Sequence, residues 1–262
     1  MQRLLVTGGC GYLGRELVRR APAHGWDVRA TWFERSPPQG AEADWVQADL
    51  RHAEAAWRAV EGVEAVIHTA YRQGNGEWEV NVEGSAAMAE AARDLRFVHL
   101  STDLVFDGER GRYREHDVPA PVSAYGRSKA EAERLVTELH PGATIVRTSL
   151  IYGGAEPGPQ ERLAAEGSRF FVDEIRSPVQ VGDLAEALLD VVALELPGAL
   201  HLGGADDLSR FDFAVLLGAD PERIEPAHTT PDRAPDVSLD SSRAAGLLQT
   251  RLRGAYEVLS GS

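Results

Sequence analysis

The chain has 262 residues and carries 27 Lys plus Arg against 41 Asp plus Glu, a formal net charge of -14. That acidity argues against non-specific attachment to nucleic acid, while leaving room for a local basic pocket. The single cysteine, Cys10, excludes an internal disulfide, no CxxC or HExxH spacing marks a metal site, and no apolar run is long enough for a membrane span or an export signal, so a soluble, cytoplasmic protein is the expectation.

Short runs rich in Val, Ile and Leu alternate with helix-compatible stretches. Strands are expected at 3–8, 27–32, 45–49, 64–70, 96–102, 143–149 and 199–204, and helices at 12–21, 52–61, 79–94, 124–139 and 183–195. Near-continuous apolar strands separated by helices are what a parallel sheet covered on both faces requires, so the fold class is α/β, with a doubly wound sheet of about seven strands. Beyond residue 150 the rhythm loosens. The segments 152–160 and 225–236 carry several prolines and are expected as loops of a small C-terminal substrate-binding lobe.

The stretch "VTGGCGYLGREL" sets Gly8, Gly11 and Gly14 three residues apart, between the first strand and the first helix. Glycines there permit a tight turn and close approach of backbone to a pyrophosphate, with helix N-terminal amides as donors. This makes 1–150 a dinucleotide-binding core of Rossmann type and 151–262 the region that completes the sheet and builds the lobe. The expected cofactor contacts in this part of the chain are Gly8, Gly11, Tyr12, Leu13, Gly14, Arg35, Asp49, Leu50 and Ala70. At the end of the second strand Trp32 and Phe33 stand where a ribose-binding acid would be, and Arg35 follows. That arrangement favours NADP(H), with Glu34 keeping NAD(H) open. Asp49 is either an adenine contact or a helix cap, and Cys10 is a small residue that fits the loop.

In "AYGRSK", Tyr125 and Lys129 are four residues apart at a helix start and therefore share one face. Ser101 and Thr102 lie at the carboxyl end of the fifth strand, where open parallel sheets bind ligands. Hydroxyl, phenol and ammonium thus converge on one crevice. Together, the glycine loop, Thr102 and Tyr125-x-x-x-Lys129 resemble the extended short-chain dehydrogenase/reductase family, from residue 2 to about 250. The resemblance implies that Tyr125 is the general acid, that Lys129 lowers its pKa and binds the nicotinamide ribose, and that Thr102 orients the substrate carbonyl.

Within that family, "STDLVFDG", "AYGRSKAEAE", "VRTSLIYG" and "RSPVQVGDLAEAL" are most similar to dTDP-4-dehydrorhamnose reductases. This implies NADPH-dependent reduction of the 4-keto group of a nucleotide sugar, with Thr102, Asp103, Phe171 and Arg176 on the substrate. The related dehydratases use a Thr-Asp-Glu triplet. Here the triplet is Thr102-Asp103-Leu104, which disfavours dehydration. Leu104 and Leu150 replace aromatic residues usual in the branch, so nucleotide recognition is expected to be relaxed, with Phe170 and Phe171 equally open as stacking surfaces or core packing. Asn81 matches an asparagine that the family uses to bend a helix. His68 and His99 are expected as hydrogen-bonded core histidines rather than catalysts, and the five tryptophans as packing residues. An epimerase with tightly bound NAD and a non-catalytic NADP-binding regulatory protein stay open as alternatives, as does a homodimer. No metal, nucleic-acid or membrane partner is expected.

Overall fold

A computed structural model of the protein describes residues 2–38, 40, 42–74, 76–167 and 169–260. Strands β1 (Gln2–Thr7), β2 (Trp26–Trp32), β3 (Asp44–Gln47), β4 (Ala65–His68), β5 (Arg96–Thr102) and β6 (Thr144–Thr148) join the strand Gly198–Leu202 in one seven-stranded sheet. Its order is β3-β2-β1-β4-β5-β6 and then Gly198–Leu202, and the ladders β2–β3, β1–β2, β1–β4 and β4–β5 all run parallel. Each strand expected from the sequence is present.

Helices α1 (Tyr12–Arg20), α2 (Ala53–Ala59), α3 (Gly84–Ala91), α4 (Ala124–Leu139), α5 (Pro159–Glu166) and α6 (Val181–Leu194) follow in chain order. All four residues of β4 and the last four of β1 are buried, the signature of strands covered on both faces. The strand order reverses between β1 and β4. Beyond the carboxyl ends at such a reversal is where open parallel sheets bind ligands, and the segments of Gly8 and Thr69 leave the sheet there.

The chain divides into two compact units. The first comprises 1–101, 128–146 and 188–199. Its core joins Leu5 of β1, Leu50, Ala56, Val66, Met88, Phe97, Val136 and Ile145. The second comprises 102–127, 147–187 and 200–262. It is built on three short strand pairs: Ile151–Tyr152 with Val179–Gln180, Ile175–Arg176 with Leu208–Ser209, and Arg169–Phe171 with Glu225–Ala227. Helix α7 (Arg210–Leu216) lends Phe213 and Ala214 to two small apolar clusters there.

Three local features depart from expectation. Pro159 opens α5 inside the segment expected as a loop, because a proline at the first helical position sacrifices no hydrogen bond. Pro226 lies within a strand, at the edge of a two-stranded pair. Trp57 and Trp78 are about half exposed, at 48% and 49%, rather than packed. Among the described residues no helix is long and apolar enough to cross a membrane, and no group of side chains could hold a metal ion.

Candidate active site

The turn after β1 exposes bare backbone. Gly8 has φ +67, a left-handed conformation that favours glycine, and a Cβ there would meet the Cα of Ala70 at 3.1 Å. A Cβ on Gly14 would collide with the Gly8 carbonyl, so α1 starts hard against the strand end. The Gly8 and Gly9 amides donate to Thr31 Oγ1 (3.1 Å) and the Thr31 carbonyl (2.8 Å), and Gly11 donates to the Gly8 carbonyl (2.8 Å). Tyr12 begins α1, while Leu13 turns into the core. Bare backbone at the start of a helix is the kind of surface that accepts a phosphate group.

Positive charge gathers beside it. Burial pushes the Cys10 thiol up, and the charges of Arg35 and Arg15 oppose that rise. Glu34, just past the end of β2, is ion-paired with Arg72. Asp49 is gripped by the Arg51 fork at 2.6–3.1 Å, which holds its carboxyl below the usual range, and Arg51 also caps the Phe33 ring at 5.4 Å. Leu50 packs its side chain into the core instead of offering it to a ligand.

Thr102 ends β5. Its hydroxyl accepts from the Leu104 amide (3.3 Å) and donates to Asp103 Oδ1 (3.2 Å), which caps the short helical turn Asp103–Val105. The first turn of α4 lies directly on that turn, since a Cβ on Gly126 would collide with the Leu104 carbonyl. Tyr125, next to Gly126 and half-buried, is thereby carried to the segment that bears Thr102.

Beneath Thr102 lies a charged cluster. Asp103, 1% exposed, accepts from Ser149 Oγ at 2.6 Å and faces Arg176 Nε at 3.2 Å. Burial pushes the Asp103 carboxyl up, with Arg176 and Ser149 opposing. Glu174 receives Arg233 at 2.7 and 3.0 Å and stands 4.0 Å from Arg176. Arg210, at the start of α7, makes no ion pair among the described residues. Burial and the like charges of Arg176 and Arg233 push it down to about 10. Three guanidiniums thus meet two carboxylates, and the Nε and Nη1 groups of Arg176, itself 4% exposed, lack aligned acceptors. The cluster has one surplus positive charge. Phe171 is covered by the Arg233 guanidinium at 4.2 Å, Phe170 is a core residue, and Leu150 packs with Tyr152 and Phe213.

Lys129, one turn beyond Tyr125 on α4, is 2% exposed. Its Nζ donates to the Leu100 carbonyl at 2.7 Å and faces His99 Nε2 at 3.3 Å. Burial lowers it to about 8, and the Glu133 carboxylate, which accepts from Ser101 Oγ at 2.5 Å, partly restores it. Asn81 is fully buried in a π-helical turn, Glu79–Glu83. There it bonds both the amide and carbonyl of Arg72 (2.9 and 2.8 Å) and Ser128 Oγ (3.0 Å), directly before Lys129. A π turn of this kind often marks a functional site.

The structure therefore groups Thr102, Asp103 and Arg176 with the start of α4, and groups Gly8, Gly14 and Ala70 with Arg35. Arg210, Arg233 and Glu174 were not among the expected site residues. No motif spacing announces them, because they come together only through the fold of the second unit.

Comparison with known proteins gives a consistent set of relatives. The family model described as the RmlD substrate binding domain matches residues 1–251. A dTDP-4-dehydrorhamnose reductase of Mycolicibacterium smegmatis is 35% identical over 98% of this chain and 84% of its own length. The crystal structure of a hypothetical dTDP-4-dehydrorhamnose reductase from Sulfolobus tokodaii is 28% identical with a TM-score of 0.82, covering 96% of this chain and 97% of that one. A dTDP-4-dehydrorhamnose reductase from Bacillus anthracis, solved in complex with NADP, shares the fold at 24% identity and a TM-score of 0.82, covering 100% of this chain and 98% of that one.

Proposed function

Because the chain belongs to the RmlD substrate binding domain family, within the extended short-chain dehydrogenases/reductases, we propose that it is an NADPH-dependent reductase acting on the 4-keto group of a nucleotide-linked sugar. The observation that carries this reading is the contact of Gly126 with the Leu104 carbonyl, which sets Tyr125 beside the Thr102 segment, with Lys129 one turn further on the same helix.

When bound, NADPH supplies a hydride to the carbonyl carbon. The chain's own residues manage the oxygen. The Thr102 hydroxyl orients the carbonyl, and Tyr125 delivers its phenolic proton as negative charge develops there. Lys129 contributes an ammonium that stabilises the phenolate left behind and donates to the cofactor ribose. The cradle of Gly8, Gly11 and Gly14 fits the pyrophosphate, and Arg35 with Arg15 fits a 2'-phosphate now that Arg72 has neutralised Glu34. Leu104 supplies no second carboxylate, so Asp103 lacks the partner that elimination chemistry needs. The surplus positive charge at Arg176, Arg210 and Arg233 suits the diphosphate of a nucleotide-linked substrate.

Purified protein incubated with dTDP-4-dehydrorhamnose should consume NADPH, followed by loss of its absorbance, and yield the 4-hydroxy sugar. Absence of NADPH consumption with this and related 4-keto nucleotide sugars, or purification with stoichiometric NAD that returns unchanged after turnover, overturns the reading.

A further inference from the structure

An ammonium carries three N–H donors and no acceptor, so a lysine that is 2% exposed needs its surroundings to supply acceptors. The Leu100 carbonyl takes one hydrogen at 2.7 Å. His99 Nε2, at 3.3 Å, is the next polar atom and can serve only through its lone pair, which puts the ring hydrogen on Nδ1. That Nδ1 is buried with no hydrogen-bond partner. That unpaired donor is the cost of presenting the Nε2 lone pair to Lys129.

The ring behind it is fixed by similar accounting. Thr7 Oγ1 accepts from the amides of Thr69 (3.1 Å) and Ala70 (3.2 Å), so its one hydrogen goes to His68 Nδ1 at 2.8 Å. His68 Nε2 then donates to Ser85 Oγ at 3.1 Å, and the ring stacks on His99 with centroids 5.5 Å apart. A continuous buried array thus runs from the residue preceding Gly8, through two imidazoles, to Lys129.

We propose that His99 is a positioning residue for Lys129, accepting from the ammonium at Nε2 so that the lysine stays charged and directs its remaining hydrogen at the bound cofactor. The inference rests on the reductase reading for the role of that ammonium. The titratable groups around it are His68 on β4, His99 on β5, and Glu133 and Tyr125 on α4. Burial keeps both histidines neutral through the working range, His68 at about 3 and His99 well below its ordinary value, so neither repels the lysine there. Glu133 favours the charged form, and the His99 lone pair adds to that preference.

The test measures NADPH affinity by fluorescence as a function of pH for the intact protein and three variants. In the unmodified protein affinity should weaken as pH rises through about 8, when the ammonium loses its proton. His99→Phe keeps a ring against His68 but removes the acceptor, and His99→Leu removes both. In each the midpoint should fall by about one pH unit, a roughly tenfold change in the lysine's proton affinity. His99→Gln, which restores an acceptor oxygen, should bring the midpoint back. An unmoved midpoint in the Phe and Leu variants, or an equal shift in the Gln variant, overturns the proposal. So does failure of both apolar variants to fold while the Gln variant folds normally, since that assigns His99 to stability. NADPH consumption by the unmodified protein on dTDP-4-dehydrorhamnose, assayed alongside, separates the two claims, because its absence would remove the reductase reading whatever the midpoints do.

Discussion

Arg176 and Asp103 face one another at 3.2 Å with both side chains withdrawn from water. Such a pair is a poor source of net stability, but loss of one partner strands the other's charge. Arg176→Leu should therefore destabilise the fold by about 3–5 kcal/mol at neutral pH. The sign of the pH dependence follows from Asp103, whose carboxyl is already raised by burial. A carboxyl raised in the folded state takes up a proton on folding, so its cost is present above the unfolded value and relieved as pH falls. Urea denaturation should show a smaller penalty near pH 5 than near pH 8, and Asp103→Asn combined with Arg176→Leu should recover much of the loss.

Tyr125→Phe keeps the ring and removes the acid. Turnover should drop by about 10²–10⁴-fold, the span of general acid catalysis, with NADPH affinity nearly unchanged. Steady-state rates and cofactor titration check the two halves separately.

Arg35→Asp reverses the charge of a residue whose guanidinium is felt at Cys10 in the glycine loop. NADPH affinity should fall about tenfold or more while NADH affinity holds or improves, because only NADPH carries the 2'-phosphate that an arginine pairs with. Equal loss for both cofactors would place the 2'-phosphate elsewhere.

Gly14→Ala adds one methyl group in the space held by the Gly8 carbonyl. A backbone carbonyl cannot swing aside as a flexible side chain can, so the loop must shift. The expected cost is about 1–3 kcal/mol of stability, together with a loss of NADPH binding out of proportion to it, measured by thermal unfolding with and without the cofactor.

Much of this was legible in the sequence, for identifiable reasons. Helix α4 spans Ala124–Leu139, the bounds read from its pattern, and the buried strands announced themselves as apolar runs. The glycine loop was readable because few residues other than glycine fit beside Ala70 and the Gly8 carbonyl. The π turn at Asn81 was legible only through the family resemblance, since one added residue in a helix leaves the polarity pattern nearly intact. Arg210 and Arg233 were hidden for another reason. Each lies in a separate segment with no spacing to relate them, and only the packing of Glu174 and Arg176 shows that they belong to one cluster. For Phe170 and Phe171 the sequence leaves a stacking surface and core packing equally open, because a ring's neighbours are invisible in one dimension; Phe170 is in the core and Arg233 lies over Phe171.

The chain passes between its two units after residues 101, 127, 146, 187 and 199. Five crossings mean that no single cut yields either unit whole. A fragment ending at Leu150 would lack 188–199 and most of the second unit, and one beginning there would lack β1 to β6. The first unit therefore cannot assemble before residue 199 has been made, and the second draws on segments spread from 102 to 262. Loop closure over such separations slows folding and prolongs exposure of apolar strands, so a nascent or truncated form of this protein should depend on chaperones to a degree that its mature stability would not suggest.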